Sequence, residues 1–213
     1  PFDVSVVRRR VSNTMLLSKR QKQMMDFAQE HDLVIQATSY MFPPLRKDKT
    51  KIGQNDRFTA EDAVLYGAYI NAYNNGFDKF KEYVESGQLE LYDAADDCGV
   101  VEGDHMRCRA GLTSFWMTWE GKMLPCGMIP DKGKDPWKVG FDEAWENVKN
   151  IVSEITLPVK CAGCGKKDEC RACAAMVYTE TGTYDKVPQY RCEMTKNYPE
   201  ACKKVLKELE QQL

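Results

Sequence analysis

A chain of 213 residues, 43% of them hydrophobic, is long enough for one large core or two small ones. Its 30 Lys and Arg against 32 Asp and Glu leave a formal charge of −2, so no strong field exists to draw in nucleic acid or an anionic membrane. No apolar run approaches the roughly 18 residues that span a bilayer, and Pro1-Phe2-Asp3-Val4 has neither the basic end nor the apolar core of a secretory signal.

A start at Pro rather than Met leads us to expect a further N-terminal portion. In chain order, Asp3-Val4-Ser5-Val6-Val7 has strand composition, a helical stretch follows over about 16–30, and Leu33-Val34-Ile35-Gln36-Ala37-Thr38 reads as a second strand. Strand, helix, strand implies a parallel crossover, which Phe42-Pro43-Pro44-Leu45 must end as a loop, because consecutive prolines remove two donors. Thr59-Ala60-Glu61-Asp62 has the form of a capping box. It predicts a helix over about 59–74 with Ala63, Val64, Tyr66, Gly67 and Ile70 on its apolar side. Gly76 ends it, and an amphipathic helix carrying Phe80 and Val84 runs over 77–86 to Gly87.

Residues 112–128 change to aromatic and β-branched types around Trp119-Glu120-Gly121-Lys122, the pattern of a β-hairpin turning at Gly121. The aromatics Phe115, Trp116 and Trp119 read as hairpin packing, and Met123 and Met128 as core. Helical spacing returns over 141–155, with Ala144, Trp145, Val148 and Ile151 or Val152 on one side. A charged helix closes the chain from about Pro199, which suits a first turn. His31 and His105 read as surface or packing residues. Two predicted strands cannot cover a parallel sheet or close a barrel, so the first half looks like part of something larger.

All nine cysteines fall between Cys98 and Cys202, which writes a domain boundary into the composition near residue 90. Cys161-x2-Cys164-x5-Cys170-x2-Cys173 places four thiols within thirteen residues. Cys108 and Cys126 flank the hairpin, which can bring both sulfurs to one site. Disulfides fit poorly, since nine is odd and no secretory signal is visible. Structural zinc remains open: Cys161, Cys164, Cys170 and Cys173 alone suffice for a four-cysteine ribbon site. Iron-sulfur ligation uses the whole set, because two four-iron clusters need eight thiolates and Cys98 through Cys192 supply eight, leaving Cys202 over. Arg107, Arg109, Lys160, Lys166, Lys167, Arg171 and Arg191 lie beside these cysteines; their positive charge suits anionic clusters, or is simply a solvated surface.

Cys108, Gly121, Cys126, Cys161, Cys164, Cys170, Cys173 and Cys192 resemble the motif of the SPASM accessory domain of radical S-adenosylmethionine (SAM) enzymes. That motif runs Cys, nine to fifteen residues, Gly, four residues, Cys; then C-x2-C-x5-C-x3-C; then a final Cys. The departure is that two residues, not three, separate Cys170 from Cys173. The resemblance implies a first [4Fe-4S] cluster on Cys98, Cys108, Cys126 and Cys173, and a second on Cys161, Cys164, Cys170 and Cys192. Cys98 lies outside the formal motif, and without it the first cluster has an open iron.

Gln36-Ala37-Thr38-Ser39-Tyr40-Met41-Phe42-Pro43-Pro44-Leu45-Arg46 is similar to the end of a late barrel strand in peptide-modifying members. The fold class expected is therefore an α/β fragment, the last strands and helices of a partial (β/α)6 barrel over 1–90. A small α+β cysteine-rich SPASM domain with a β-hairpin would follow over 91–195, and a C-terminal helix over 196–213. Gln36, Thr38 and Tyr40 would be barrel-mouth residues, or ordinary strand residues. The family's C-x3-C-x2-C motif, whose third [4Fe-4S] cluster cleaves SAM, occurs nowhere in this chain. The resemblance thus implies the C-terminal portion of a peptide or protein maturase that does not cleave SAM by itself. Its implied partners are an upstream radical SAM core, a peptide or protein substrate and a donor such as flavodoxin or ferredoxin, in a reducing cytoplasm, with no nucleic acid and no membrane. The alternatives are a structural zinc-binding interaction module and a stand-alone iron-sulfur electron carrier.

Overall fold

The computed structural model describes residues 23–28, 30–31, 33, 40–43, 48–53, 57–87, 108–129, 132–170 and 172–211. Among these the chain is mostly helical, with one two-stranded sheet. The segments expected as barrel strands, 3–7 and 33–38, lie outside the described residues except for Leu33. Its N–H donates to the Ala28 carbonyl (2.8 Å), closing a stretch in which residues 23–28 and 30 are helical. The described residues group into two compact units: those within 1–41, 56–91 and 193–213 form the first, and those within 42–55 and 92–192 the second.

In the first unit, α1 spans Ala60–Asn75. Thr59 caps it as the capping box predicts, its side-chain oxygen accepting from the Asp62 N–H at 3.1 Å. Ala63, Val64, Ala68 and Ala72 bury one side of this helix. Gly76 at φ +79 turns the chain into α2, Phe77–Ser86, which buries Phe80 and Val84 and ends on the left-handed Gly87. The long C-terminal helix, α8 (Gln189–Glu210), buries Met194, Tyr198, Ala201, Cys202, Val205 and Leu206, an i, i+3, i+4 stripe. Tyr69 on α1 donates to Glu208, Asn71 Nδ2 to the Tyr198 hydroxyl (2.9 Å), and Lys81 on α2 pairs with Glu210 (2.9 Å), so α8 is tied to both helices.

The second unit holds the hairpin, β1 Trp116–Met117 and β2 Met123–Leu124, antiparallel with Trp116 opposite Leu124. Gly121, at φ +78, makes the turn. Helix α3 (Pro136–Val139) starts on an Asp135 cap with Pro at its first position, and Gly140 passes the chain to α4 (Phe141–Ser153). Ala144 and Val148 of α4 are buried with Met123 of β2, beside the half-buried Met117 and Trp145. Two short helices follow, α5 (Val159–Ala162) and α6 (Lys167–Cys170), then α7 (Ala174–Thr181). A second core joins Ala110, Ile129, Ile155, Ala174 and Ala175, with Met128, Ile151 and Val152 against it.

Two expectations need correction. The last helix, α8, spans Gln189–Glu210, so Pro199 sits inside it rather than in its first turn. Proline has no N–H to continue the helical ladder, a loss of about 3 kcal/mol in an isolated helix; the buried stripe on both sides of Pro199 offsets it. Trp119 is not hairpin packing: it is 88% exposed, whereas Phe115 does pack edge-on against Phe141 and Trp145.

Candidate metal centre

The open end of the hairpin positions the first group of sulfurs. Antiparallel pairing puts the residues before Trp116 and after Leu124 at the same end, and there lie Cys108 and Cys126. The 108–114 loop is a tight turn in which the N–H groups of Leu112, Thr113 and Ser114 converge on the Arg109 carbonyl (3.0–3.1 Å). Cys173 reaches the same place from the N-cap of α7. All three pack against the core of Ala110, Ile129, Ile155, Ala174 and Ala175.

Burial pushes the Cys126 thiol up, and the neighbouring Cys108 pushes it further, against the N–H groups of Met128 and Ile129 that favour the thiolate. Burial likewise raises the Cys173 thiol, offset by the amides of Met176 and Ala175 and reinforced by Cys126 and Cys108. Those amides face Cys173 without a well-aligned capping bond, and the positive end of α7 stands behind them. The three sulfurs are thus close enough that charge on one is felt by the others. Tyr184 joins the group, its hydroxyl pushed up to about 12 by burial, by Tyr178 and by Cys126; its ring lies 5.2 Å from that of Tyr178.

A second group lies on α5 (Cys161), the turn after it (Cys164), the end of α6 (Cys170) and the first turn of α8 (Cys192). The Cys161 thiol is pushed up to about 11 by burial and then by Cys192, Cys170 and Cys164, which names its three sulfur neighbours. The Cys161 N–H donates to the Pro158 carbonyl (2.7 Å), the Cys164 N–H to that of Cys161 (3.2 Å), and the Cys192 N–H to that of Pro188 (3.1 Å), so each of these cysteine-bearing turns is closed locally. Arg191, fully buried, donates through Nε (2.9 Å) and Nη2 to the Cys170 carbonyl.

Sulfur-directed amides recur. Ala110 N–H points at Cys108 Sγ (3.4 Å), Met128 N–H at Cys126 Sγ (3.5 Å) and Lys166 N–H at Cys164 Sγ (3.5 Å), each two residues downstream. Such donors favour the thiolate, the form that binds metal. The eight described cysteines make no disulfide with one another, and among the described residues no three or more His, Cys, Asp or Glu side chains are gathered tightly enough to hold a metal ion. The donor set itself, thiols in two groups with amides turned to sulfur, fits thiolate ligation of soft iron-sulfur centres. A four-cysteine ribbon would need Cys173 with Cys161, Cys164 and Cys170; Cys173 instead neighbours Cys126 and Cys108.

Cys98, Gln36, Thr38 and His105 lie outside the described residues. Tyr40 is buried, with the Arg57 guanidinium 5.7 Å from its ring centre. His31 is exposed beside Phe27, and Cys202 is buried in the first unit, against Tyr198. Of the cations beside the cysteines whose side chains are described, Arg109, Lys160 and Lys166 are exposed and Arg191 is buried. The sequence reading missed Tyr184, which no spacing rule ties to Cys126.

No family model matches the chain, and no solved structure matches it. It is similar to an AdoMet-dependent heme synthase of Methanosarcina barkeri, with 31% identity over 80 residues, 36% of this chain and 23% of that protein. The chain therefore spans about a quarter of that relative's length. The likeness supports a relation to the radical SAM superfamily and reaches no finer level. No helix among the described residues is long and apolar enough to cross a membrane.

Proposed function

We propose that this chain is the auxiliary iron-sulfur portion of a radical SAM enzyme that modifies a peptide or protein. Cys98, Cys108, Cys126 and Cys173 hold one four-iron cluster, and Cys161, Cys164, Cys170 and Cys192 hold the other. The observation that carries this reading is the sorting of the seven described cysteines of this set into Cys108, Cys126 and Cys173 on one side and Cys161, Cys164, Cys170 and Cys192 on the other. It is the interleaved division that the SPASM resemblance implies, and it is not the division a zinc ribbon needs. The similarity to an AdoMet-dependent heme synthase supports the radical SAM part of this reading.

Clusters in these sites supply one-electron capacity to a reaction whose radical is made elsewhere. With four thiolates each they have no vacant iron, so electron relay is preferred over substrate binding. The chain's own contribution is to seat Cys108, Cys126 and Cys173 against the core of the second unit, to aim amides at Cys108, Cys126 and Cys164, and to close the turns at Cys161, Cys164 and Cys192 with local hydrogen bonds. SAM cleavage, a third cluster, the peptide substrate and a flavodoxin or ferredoxin donor belong to the complete enzyme, in a reducing cytoplasm.

The test is anaerobic reconstitution of two double variants, Cys126→Ala/Cys173→Ala and Cys161→Ala/Cys164→Ala. Each is expected to retain half the iron and sulfide of the unmodified chain. A variant pair that loses everything together, or nothing, contradicts two separate sites.

A further inference from the structure

Among the described residues Arg191 is the largest side chain with essentially no exposure. A guanidinium is a cation, and a buried charge is unfavourable unless hydrogen bonds and opposite charge answer it. Two of its donors, Nε and Nη2, converge on the carbonyl of Cys170, the last residue of α6. Helix ends leave such carbonyls open, and a cation is favoured there. The next residue along α8 is Cys192, a neighbour of Cys161. Arg191 is therefore hydrogen-bonded to the backbone of one member of the second sulfur group and peptide-bonded to another.

We propose that Arg191 is the positioning and potential-setting residue of the second site: it clamps the Cys170 turn onto α8 and raises the reduction potential of the centre bound there. This rests on the cluster reading above. A four-iron cluster held by thiolates is a net anion and becomes more negative when it accepts an electron, so a fixed cation nearby favours the reduced form. Lys160 and Lys166 are exposed, and water and salt screen them. A buried charge acts through a lower effective dielectric, roughly fourfold more strongly at equal distance. Arg191 thus outweighs the surface lysines. The clamp also explains why Arg is needed rather than Lys, because the planar fork presents two N–H groups to one oxygen.

The test is a potentiometric titration with dithionite, followed by electron paramagnetic resonance, on the reconstituted chain, Arg191→Lys and Arg191→Met. The second site's transition is identified as the one missing from Cys161→Ala/Cys164→Ala. Arg191→Met is expected to move that transition to lower potential by about tenfold in the reduction equilibrium, which is about 59 mV for one electron. The other transition stays in place. Arg191→Lys keeps the charge and most of the volume, so its midpoint stays within about threefold of the original, while iron is lost faster from the second site. Full loading with unmoved midpoints in both variants overturns the proposal, as does a shift confined to the other transition. If Arg191→Met does not fold, a Lys variant with unchanged midpoint and unchanged rate of iron loss overturns it equally. An unmodified chain that takes up no iron and sulfide refutes the cluster reading itself, a result distinct from both.

Discussion

Replacing Gly111 by Ala tests how the loop bearing Cys108 is seated. Gly111 has φ +75, and a Cβ there would stand 2.5 Å from Val152 Cγ2 and 3.2 Å from Val152 Cβ on α4. Two penalties add: about 1–2 kcal/mol for an L-residue in the left-handed region, and about 1–3 kcal/mol for overpacking a filled site. The expected loss is about 2–5 kcal/mol. Gly121→Ala is the control, since its φ of +78 carries the same backbone strain but its Cβ meets only the Trp137 ring at an ordinary 3.7 Å. All four Trp lie at 116–145, within the second unit, so urea unfolding followed by Trp fluorescence reports that unit. Gly111→Ala should lose clearly more stability than Gly121→Ala and should also load less iron at the first site. Equal losses from the two variants would mean that Val152 yields freely, and would refute the close seating of this loop on α4.

Phe80→Ala empties a fully buried position of α2 and should lower stability by about 3–5 kcal/mol, read by far-ultraviolet circular dichroism because the first unit has no Trp. A loss below 1 kcal/mol contradicts its place in that core. Cys202→Ala should leave iron and sulfide unchanged, because Cys202 is buried against Tyr198 in the first unit; loss of a full cluster would make it a ligand. The Cys202 thiol is pushed up to about 12, mainly by burial, so at pH 8 only about one in 10,000 is thiolate. Iodoacetamide at that pH should therefore spare Cys202 in the folded chain and modify it once urea unfolds it; rapid labelling of the folded chain contradicts its burial. Asn71→Ala removes the donor to the Tyr198 hydroxyl and should cost about 1–3 kcal/mol, because that hydroxyl is buried. Thermal melting that is unchanged speaks against this bond.

Local signals made some elements legible. The Thr59 capping box, Gly87 and the glycine of the hairpin turn each fix backbone geometry within a few residues, so α1, α2 and the β1–β2 turn could be placed. Ala144 and Val148 followed from helical period. The start of α8 did not, because Pro199 is normally a first-turn signal and only tertiary packing of Met194, Tyr198 and Cys202 carries a helix through it. Helix α7 was missed: it is buried nearly all round, so it shows no amphipathic period, and the left-handed Gly182 after it was its one local mark. In the site, cysteine spacing suggested the sulfurs, but it could not tell Arg191 from the exposed Arg109, Lys160 and Lys166. Burial is a property of the whole unit and not of seven basic residues in a row of motifs.

The most direct test of the central claim is anaerobic reconstitution of the chain, followed by iron, sulfide and zinc analysis with an absorption spectrum. About eight iron and eight sulfide per chain, with a broad band near ~400 nm, is the predicted result for two four-iron clusters. One or two zinc ions per chain with neither sulfide nor that band would contradict the assignment and leave a structural zinc module in its place.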